Sequence, residues 1–249
     1  MNKILGIDVG GTKIAIGLVD KSLRLGEVKV VPTSQTNLTK QLLGLIESYK
    51  GFDAIGLAMP GQVLPNGVVT RLPNIRNFSP TNFKQLLTKR YKVPVNVIND
   101  SKAFALAESV TGKGKAQKTV AGLILGTGIG MGVVINKQLY MGKDGLAGEF
   151  EHITLLDGQM LRDHRHAAGK FKNAQEAKSY LQTILSTIIL SFNPDLIVLG
   201  GSWSTLQGME KLVNQLATNV GGYTNKTPVK ISTLKHAGVI GAALTVLKR

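Results

Sequence analysis

A pattern of strand, glycine turn and strand occurs twice in this chain and limits its possible folds more than any other feature. The first copy has apolar residues before and after a turn at Gly10 and Gly11, and the second has them around Gly126 and Gly128. Short apolar runs bounded by glycine are typical of buried β-strands. Because a repeated sequence unit indicates a repeated architecture, we predict two similar lobes, each opening with a β-hairpin.

The rest of the chain alternates between strand-like and helix-like patterns, which is typical of an α/β fold with helices covering a sheet. The predicted strands are residues 3–9, 13–19, 24–31, 53–59, 94–98, 119–126, 130–136 and 195–199. The predicted helices are residues 37–50, 81–91, 101–111, 173–192, 204–219 and 237–248. We expect one lobe at residues 1–112 and the other at 113–236, with the last helix, in 237–249, packing back on the first lobe. A ligand cleft is expected between the lobes.

Length and composition favour a globular protein. The 249 residues are enough for a sizeable core, and 43% of them are hydrophobic. No apolar run reaches the roughly 18 residues that span a bilayer, and no signal-peptide pattern begins the chain. The sequence has no cysteine, which excludes disulfides and thiolate metal sites. We therefore expect a cytoplasmic protein without a membrane partner.

The net charge of +15 is high and is spread along the chain. Residues 1–112 carry 14 Lys or Arg against 7 Asp or Glu, and residues 113–249 carry 16 against 8. Such an excess of positive charge agrees with binding to a polyanion. It agrees equally well with a general tendency of the source organism to keep its proteins soluble through surface charge. Only 5% of the residues are aromatic, which argues against stacking on single-stranded nucleic acid. We therefore expect no specific nucleic-acid partner.

Both glycine turns are candidates for binding phosphate. Glycine lets several backbone N–H groups converge on one anion, because no Cβ blocks the approach. A plain hairpin turn is the alternative interpretation of each turn taken alone. Asp8 is expected to hold Mg²⁺ through water, since hard cations prefer oxygen ligands. The candidate phosphate-binding residues are Asp8, Gly10, Gly11, Thr12 and Lys13 at the first turn, and Gly126, Thr127 and Gly128 at the second.

Other phosphate motifs do not fit this sequence. The P-loop pattern Gly-x-x-x-x-Gly-Lys-Ser/Thr is absent, and the glycines in residues 126–132 occur at every second position, which misses the Gly-x-Gly-x-x-Gly spacing. A strand also follows them where a dinucleotide-binding fold requires a helix. Gly200 and Gly201 follow another apolar strand and would allow close approach of a flat ring, with simple packing as the alternative.

Asn99 and Asp100 end a buried strand and precede an alanine-rich helix. An acid at this end of a strand is well placed to take a proton from a substrate hydroxyl, so Asp100 is the candidate general base. The alternative is that Asp100 only caps the following helix. Asn99 offers both a hydrogen-bond donor and an acceptor, which suits a vicinal diol.

A third candidate segment follows the second glycine turn. Glu149 and His152 are three residues apart, so they would share one face of a helical turn and reach the same polar ligand. Glu151 is expected to point elsewhere. The alternative is a solvated acidic turn with a satisfied histidine. We do not expect the acids and histidines of residues 152–166 to bind a metal ion, because the arginines of that segment repel a cation.

Taken together, these residues resemble the ROK family of bacterial sugar kinases and related repressors, within the actin-like, Hsp70 and hexokinase ATPase superfamily. Residues 8–13 resemble the first phosphate motif of that family, and residues 125–130 resemble the second. Residues 199–201 and the helix at 237–243 are similar to its nucleotide-binding end, and residues 148–152 are similar to its Gly-Glu-x-Gly-His sugar motif. The resemblance covers nearly the whole chain and implies a two-lobed α/β, ribonuclease H-like fold.

The resemblance also implies roles for single residues. Asn99 and Asp100 match the sugar-binding asparagine and the catalytic aspartate of the family, and residues 60–61 and 73–74 resemble two loops that line its sugar pocket. Asp100 is therefore the implied catalytic residue. The implied sugar ligands are Asn74, Asn99, Asp100, Glu149 and His152. The implied phosphate and cofactor ligands are the residues of the two glycine turns together with Gly200 and Gly201.

Departures from the family pattern narrow the expected function and the expected metal content of this protein. Repressor members carry an N-terminal helix-turn-helix, whereas the strand pattern here begins at residue 3, which favours a kinase. Many family kinases have a cysteine-rich zinc loop and a sugar-binding glutamate after the histidine. Residues 158–169 contain neither, so no zinc is expected and that sugar contact is unassigned. Short, cysteine-free members with a compressed C-terminal half resemble the polyphosphate-dependent glucokinases.

The expected activity is transfer of a phosphoryl group from ATP or polyphosphate to the 6-hydroxyl of glucose, with Mg²⁺ as cofactor. Mannose, fructose and N-acetylmannosamine are the alternative acceptors. A catalytically silent sugar sensor or polyanion-binding protein is the alternative from another class. The expected partners are the sugar and the phosphoryl donor, and the expected assembly is a homodimer.

Overall fold

The computed structural model describes residues 3–72, 75, 78–126, 128–224 and 226–247. The expectations for Asn74 and Thr127 lie outside the described residues.

The chain divides into two compact units. The first unit contains Met1–Ala107, Met141–Leu146 and Lys235–Arg249, and the second contains Glu108–Tyr140 and Ala147–Leu234. In the described part of the chain, the helices are too short or too polar to cross a lipid bilayer.

The first unit is built on a five-stranded mixed sheet. Its chain begins with β1 (Lys3–Val9), β2 (Lys13–Asp20), β3 (Leu25–Pro32), α1 (Leu38–Glu47), β4 (Ala54–Met59), β5 (Gln62–Val63), β6 (Val68–Arg71), β7 (Thr81–Asn82), α2 (Phe83–Tyr91), β8 (Val95–Asn99) and α3 (Asp100–Val110). The strand order of the large sheet is β3-β2-β1-β4-β8, and β5, β6 and β7 form a smaller sheet. β1 pairs antiparallel with β2 and parallel with β4, and β4 pairs parallel with β8.

The second unit repeats this arrangement. It contains β9 (Thr119–Leu125), β10 (Ile129–Ile135), β11 (Gln138–Tyr140), α4 (Leu161–Ala167), α5 (Lys178–Phe192), β12 (Leu196–Gly200), α6 (Met209–Ala217), β13 (Asn219–Val220), β14 (Tyr223–Thr224) and β15 (Val229–Ile231). Its large sheet has the order β11-β10-β9-β12-β15. In both sheets an antiparallel meander of three strands is extended by two parallel strands. The repeat that the two glycine turns predict is therefore confirmed.

The last helix, α7 (Ala237–Leu244), packs on β1 and β4 of the first unit. Glycines permit this close packing: a Cβ added to Gly56 would lie 2.0 Å from the carbonyl oxygen of Ala242. A Cβ on Gly241 would lie 1.8 Å from the carbonyl oxygen of Ala103 in α3. Real Cβ atoms never approach a carbonyl so closely, so α7 can contact the sheet and α3 at these points only because the side chains are absent.

Two predicted helices differ from the observed ones. The helix predicted at 173–192 begins as a 3₁₀ turn at Ala174–Ala177, and α5 starts at Lys178. The helix predicted at 204–219 is divided, because Gly208 has a φ of +81° and separates the 3₁₀ turn Ser202–Thr205 from α6. Helix α4 lies in a segment for which the sequence predicts none. Short helical turns of this kind depend on tertiary packing more than on local sequence preference.

Candidate active site

The first unit brings Asp8 and Asn99 to the same edge of its sheet. Asp8 lies beside Ala58 in the parallel pairing of β1 with β4, and Met59 lies beside Asn99 in the pairing of β4 with β8. Since neighbouring strands are about 4.8 Å apart, the backbones of Asp8 and Asn99 are roughly 10 Å apart. This is the C-terminal edge of the parallel strands, where open α/β sheets bind their ligands.

The first glycine turn is held in place through its carbonyl groups. The Thr33 hydroxyl donates to the carbonyl oxygen of Gly10 at 2.8 Å, and the Thr33 N–H donates to that of Thr12 at 3.0 Å. The side-chain amide of Gln35 donates to the carbonyl oxygen of Gly11 at 2.9 Å. Within the described residues, no acceptor occupies the N–H groups of Gly11 and Thr12. The turn therefore keeps two backbone donors available for an anion.

Asp8 carries an unusually basic carboxylate next to this turn. Burial raises its pKa from 3.8 to about 6, and the nearby Lys13 offsets only part of that rise. The carboxylate is enclosed because it lies against Gly238 of α7, although the residue retains some solvent-accessible surface. A carboxylate of this kind fits the expected role of binding Mg²⁺ through water, because a nearby divalent cation would favour its charged form.

Asn99 rather than Asp100 caps helix α3. The Asn99 Oδ1 accepts hydrogen bonds from the N–H groups of Ser101 at 3.0 Å and Lys102 at 3.3 Å. Its Nδ2 donates to the carbonyl oxygen of Gly61 at 3.0 Å, so the same side chain also fixes the loop after β4. Asn99 is buried, and within the described part of the chain its second Nδ2 hydrogen has no acceptor, so it can serve a ligand. Its predicted contact with a sugar remains a prediction.

Asp100 is the first residue of α3 and is half-buried. Its Oδ1 accepts a hydrogen bond from the N–H of Ser101 at 2.8 Å, which orients the carboxylate at the start of the helix. A helix N-terminus stabilises negative charge. The Ser101 N–H is thus shared by Asn99 and Asp100, so both side chains contribute to the start of α3, and the role of Asp100 as a general base remains a prediction.

The second glycine turn is fixed by residues that are distant in sequence. The N–H of Gly126 donates to the carbonyl oxygen of Gly128 at 3.0 Å, which closes the turn. Arg165 donates to the carbonyl oxygen of Gly126 at 2.9 Å. Glu151, which the sequence leaves without a role, accepts a hydrogen bond from the N–H of Ile129 at 3.0 Å. Sequence analysis misses both contacts because the partners are 39 and 22 residues apart.

The segment after β12 lies on the same turn. Gly201 has a φ of +85°, and a Cβ at this position would lie 2.2 Å from the carbonyl oxygen of Leu125. The hydroxyl oxygen of Ser202 would lie 3.2 Å from a Cβ added to Gly126. The predicted nucleotide-end residues Gly200 and Gly201 and the second turn are therefore in one place in the second unit.

Glu149 and His152 lie on one 3₁₀ turn, Phe150–His152, which begins at Glu149. The N–H of His152 donates to the carbonyl oxygen of Glu149 at 3.1 Å, and the three-residue period of this helix type places both residues on one face. The His152 ring is exposed, and its Nε2 lies 3.1 Å from Nη1 of Arg162. Because arginine only donates, a hydrogen bond between these two side chains requires Nε2 of His152 as the acceptor.

The other histidines and acids of the second unit have separate partners. Asp163 lies 3.5 Å from the Arg162 Nε, and the ring nitrogen of His164 lies 2.6 Å from the carboxylate of Asp157. Over the described ranges of the chain, no three His, Cys, Asp or Glu side chains lie together in a way that would hold a metal ion.

Sequence comparison relates the whole chain to one family. The ROK family model matches residues 4–164 and 160–249. The N-acetylgalactosamine kinase AgaK of Shewanella sp. (strain ANA-3) is 28% identical over 96% of this chain and 95% of that protein. Alignments with bacterial N-acetyl-D-glucosamine and N-acetylmannosamine kinases are 30–36% identical, but they span only 60–61% of this chain and 52–55% of each relative.

Two solved structures share the fold. A ROK family glucokinase from Streptomyces griseus, in complex with glucose and AMPPNP, has a TM-score of 0.81, 23% identity, and coverage of 98% of this chain and 99% of that chain. The inorganic polyphosphate/ATP-glucomannokinase from Arthrobacter sp. strain KM has a TM-score of 0.74 and 28% identity, with 98% of each chain covered. The two-lobed α/β fold that the sequence predicts is therefore confirmed. The chain belongs to the ROK family of sugar kinases.

Proposed function

We propose that this sugar kinase transfers the terminal phosphoryl group of ATP to a hydroxyl group of an N-acetylhexosamine. The observation that carries the proposal is the arrangement of Asp8, the open N–H groups of the first glycine turn and Asp100 at one sheet edge. The N-acetylated acceptor is supported by AgaK, which aligns over nearly its whole length. Glucose, the acceptor that the sequence motifs favour, becomes the second candidate.

Asp100 is the proposed general base. Its carboxylate takes the proton of the sugar hydroxyl while that oxygen attacks the terminal phosphorus of the donor. The bond between this phosphorus and the bridging oxygen breaks, so the products are the sugar phosphate and ADP. The hydrogen bond from the Ser101 N–H holds one carboxylate oxygen in place. This anchoring supports a base of fixed orientation, which the reaction requires because it depends mainly on positioning.

The glycine turns are proposed to bind the donor phosphates. In the first unit, the N–H groups of Gly11 and Thr12 and the ammonium of Lys13 would meet phosphate oxygens. In the second unit, Gly126, Gly128 and the loop at Gly201 would form the corresponding surface. When bound by Asp8 through water, Mg²⁺ would neutralise part of the phosphate charge.

The sugar is proposed to contact Asn74, Asn99, Glu149 and His152. Asn99 would donate through its remaining Nδ2 hydrogen, and His152 would donate through Nδ1 because its Nε2 faces Arg162. The half-buried carboxylate of Glu149 would accept from a hydroxyl or an acetamido N–H. Donors and acceptors of both kinds are what a polyhydroxylated ring requires.

A second candidate is a kinase that uses polyphosphate and accepts glucose or mannose. Two observations favour it: the net charge of +15, and the 28% identity over 98% of both chains with the polyphosphate/ATP-glucomannokinase. Dispersed positive charge attracts a long polyanion at low ionic strength and loses that attraction as salt is added. Comparing the two donors at two salt concentrations separates this candidate from the first.

The test is a phosphorylation assay with purified protein, Mg²⁺, and either ATP or long-chain polyphosphate. The acceptor panel contains glucose, mannose, fructose, N-acetylglucosamine, N-acetylgalactosamine and N-acetylmannosamine, and ³¹P and ¹H NMR identify the phosphorylated hydroxyl. We expect the highest kcat/KM with ATP and an N-acetylhexosamine. Higher kcat/KM with glucose or mannose would replace the proposed acceptor class. Sugar binding in calorimetry without turnover from either donor would replace the kinase by a silent sugar sensor.

A further inference from the structure

Arg165 is a buried cation on the second glycine turn. The residue is 8% exposed, and its guanidinium donates to the carbonyl oxygen of Gly169 at 2.6 Å and to that of Gly126 at 2.9 Å. These two bonds use both terminal nitrogens of the side chain. Arg165 therefore joins helix α4 and the segment that follows it to the first residue of the turn.

Aromatic rings surround the same guanidinium. Its central carbon lies 4.9 Å from the ring centroid of Trp203 and 5.2 Å from that of Phe171. The two rings contact each other edge to face, with centroids 4.9 Å apart. Contacts between a guanidinium and aromatic faces stabilise the cation in a place that water does not reach.

Among the residues that the structure describes, no carboxylate neutralises this charge. Across the described residues, Arg165 forms no ion pair with an acid, and its Nε is buried without a hydrogen-bond partner. Burying a cation without a counter-ion is costly, and carbonyl groups and aromatic rings offset only part of the cost. A cation retained under these conditions is suited to act on an anion that binds nearby.

We infer that Arg165 is a positioning residue for the phosphoryl donor, which orients the second glycine turn through Gly126 and supplies its positive charge to the donor phosphates. The inference deepens the proposed function and depends on the assignment of this turn to the donor. Lysine cannot replace the arginine, because only the planar guanidinium donates two divergent hydrogen bonds while it contacts two rings. The direct contact with phosphate is proposed for the turn, and Arg165 acts through it.

The geometry also provides a reporter. The protein has a single tryptophan, Trp203, and it contacts the guanidinium of Arg165. Intrinsic fluorescence therefore reports on this one location without labelling. A donor that binds the second turn should change the emission of Trp203, because it changes the charge and the position of the groups around the indole.

The experiment compares wild-type protein with the variants R165K and R165M. The control is R90M, which removes an exposed arginine in the first unit that also lies over an aromatic ring, at 5.9 Å from the centroid of Tyr91. The fluorescence probes are Mg-AMPPNP and inorganic tripolyphosphate, added without sugar. The kinetic measurements are KM for the donor, KM for the sugar and kcat, and circular dichroism establishes that each variant is folded.

We expect R165K and R165M to raise KM for the donor about tenfold or more, since a displaced phosphate-binding group costs this much, while KM for the sugar stays within about twofold. The fluorescence response to both probes should be lost in R165M and retained in R90M. If R165K or R165M does not fold, the milder variant W203F keeps Arg165 and should raise KM for the donor by a smaller factor. An unchanged donor KM in that variant contradicts the inference.

The two proposals fail in different ways. If folded R165K and R165M keep the wild-type KM for the donor, the inference on Arg165 is wrong and the kinase proposal stands. If no sugar is phosphorylated from any donor, but tripolyphosphate changes the Trp203 emission in wild type and not in R165M, the second turn is a phosphate site and the kinase proposal is wrong.

Discussion

The carboxylate of Asp8 occupies the space that a side chain at Gly238, the second residue of helix α7, would need. A Cβ added at Gly238 would lie 2.2 Å from the Oδ2 of Asp8 and 2.3 Å from its Cγ. This contact explains how residues 230 positions apart in sequence form one side of the candidate site. It also means that the last helix helps to define the environment of the proposed Mg²⁺-binding acid.

Replacing Gly238 with alanine should therefore impair activity. The new methyl group would push the Asp8 carboxylate away from its position or displace α7, and we expect kcat to fall about tenfold or more. The measurement is kcat at saturating sugar and donor. The matched control is Gly44→Ala in α1, where a Cβ would have no atom within 4 Å. That change should leave kcat unchanged and raise stability by about 0.5–1 kcal/mol, because alanine favours a helix. Wild-type kcat in G238A would contradict the assignment of Asp8.

The pKa of Asp8 predicts how stability depends on pH when divalent cations are absent. Its pKa is about 6 in the folded protein and 3.8 in a model peptide, so the folded state holds the proton more tightly than the unfolded state. The contribution of Asp8 to the free energy of unfolding is therefore largest below pH 4, and it decreases as pH rises from about 4 to about 6. The loss is at most about 3 kcal/mol.

Urea unfolding of wild type and Asp8→Asn between pH 4 and 7, in EDTA, measures this effect. The free energy of unfolding of the variant should increase relative to wild type as pH rises through that window. Adding Mg²⁺ should reduce the difference by favouring the charged carboxylate. Parallel pH profiles for the two proteins in EDTA would exclude a raised pKa at Asp8.

Asp100→Asn should separate catalysis from binding. Removing the general base is expected to lower kcat by at least about a hundredfold, while the sugar Kd stays close to wild type. The asparagine Oδ1 can still accept from the Ser101 N–H, so the start of α3 should be preserved. The control is Asp20→Asn, which changes an acid whose Oδ1 also accepts from backbone N–H groups, at Ser22 and Arg24. Turnover in D100N at more than about a tenth of the wild-type rate would rule out Asp100 as the base.

Lys137 should stabilise the second unit despite an unfavourable backbone conformation. It lies in the two-residue loop between β10 and β11 with a φ of +64°, a position where hairpins prefer glycine. Its Nζ lies 2.7–3.0 Å from four carbonyl oxygens, those of Ser109, Gly114, Lys115 and Gln117, which share the three hydrogens of the ammonium.

Lys137→Gly relieves the backbone strain and removes these hydrogen bonds. The sign of the change in the free energy of unfolding therefore shows which of the two contributions is larger. We expect a net destabilisation of about 1–3 kcal/mol, because charge-assisted bonds outweigh the conformational gain. Asn136→Gly is the control, since Asn136 has a φ of +50° and an exposed side chain, and it should be neutral or stabilising. Thermal and urea unfolding measure both variants. A K137G protein more stable than wild type would show that the backbone conformation of Lys137 costs more than its hydrogen bonds contribute.

Much of the sheet framework is predictable from local pattern. The strands predicted at 3–9 and 119–126 match β1 and β9 closely, because both are central strands whose residues are buried on both faces. The two glycine turns and the Asn99–Asp100 pair are also visible in the sequence, since their residue types are required at fixed distances from a strand end. The short strands β5, β6, β7, β13 and β14 are not predictable, because two to four residues carry too little periodicity.

The sequence by itself determined the repeated α/β architecture, the family and the identity of the candidate acids, since each depends on residues that are close together along the chain. Only the tertiary structure decided that Asn99 caps α3, that Gly238 lies against Asp8 and that Arg165 of α4 donates to Gly126 while its guanidinium contacts two aromatic rings. These contacts join positions that are far apart in sequence or depend on side-chain direction. Hydrogen bonding and close packing select these contacts when the chain folds. Neither can be predicted from the periodicity of the local sequence.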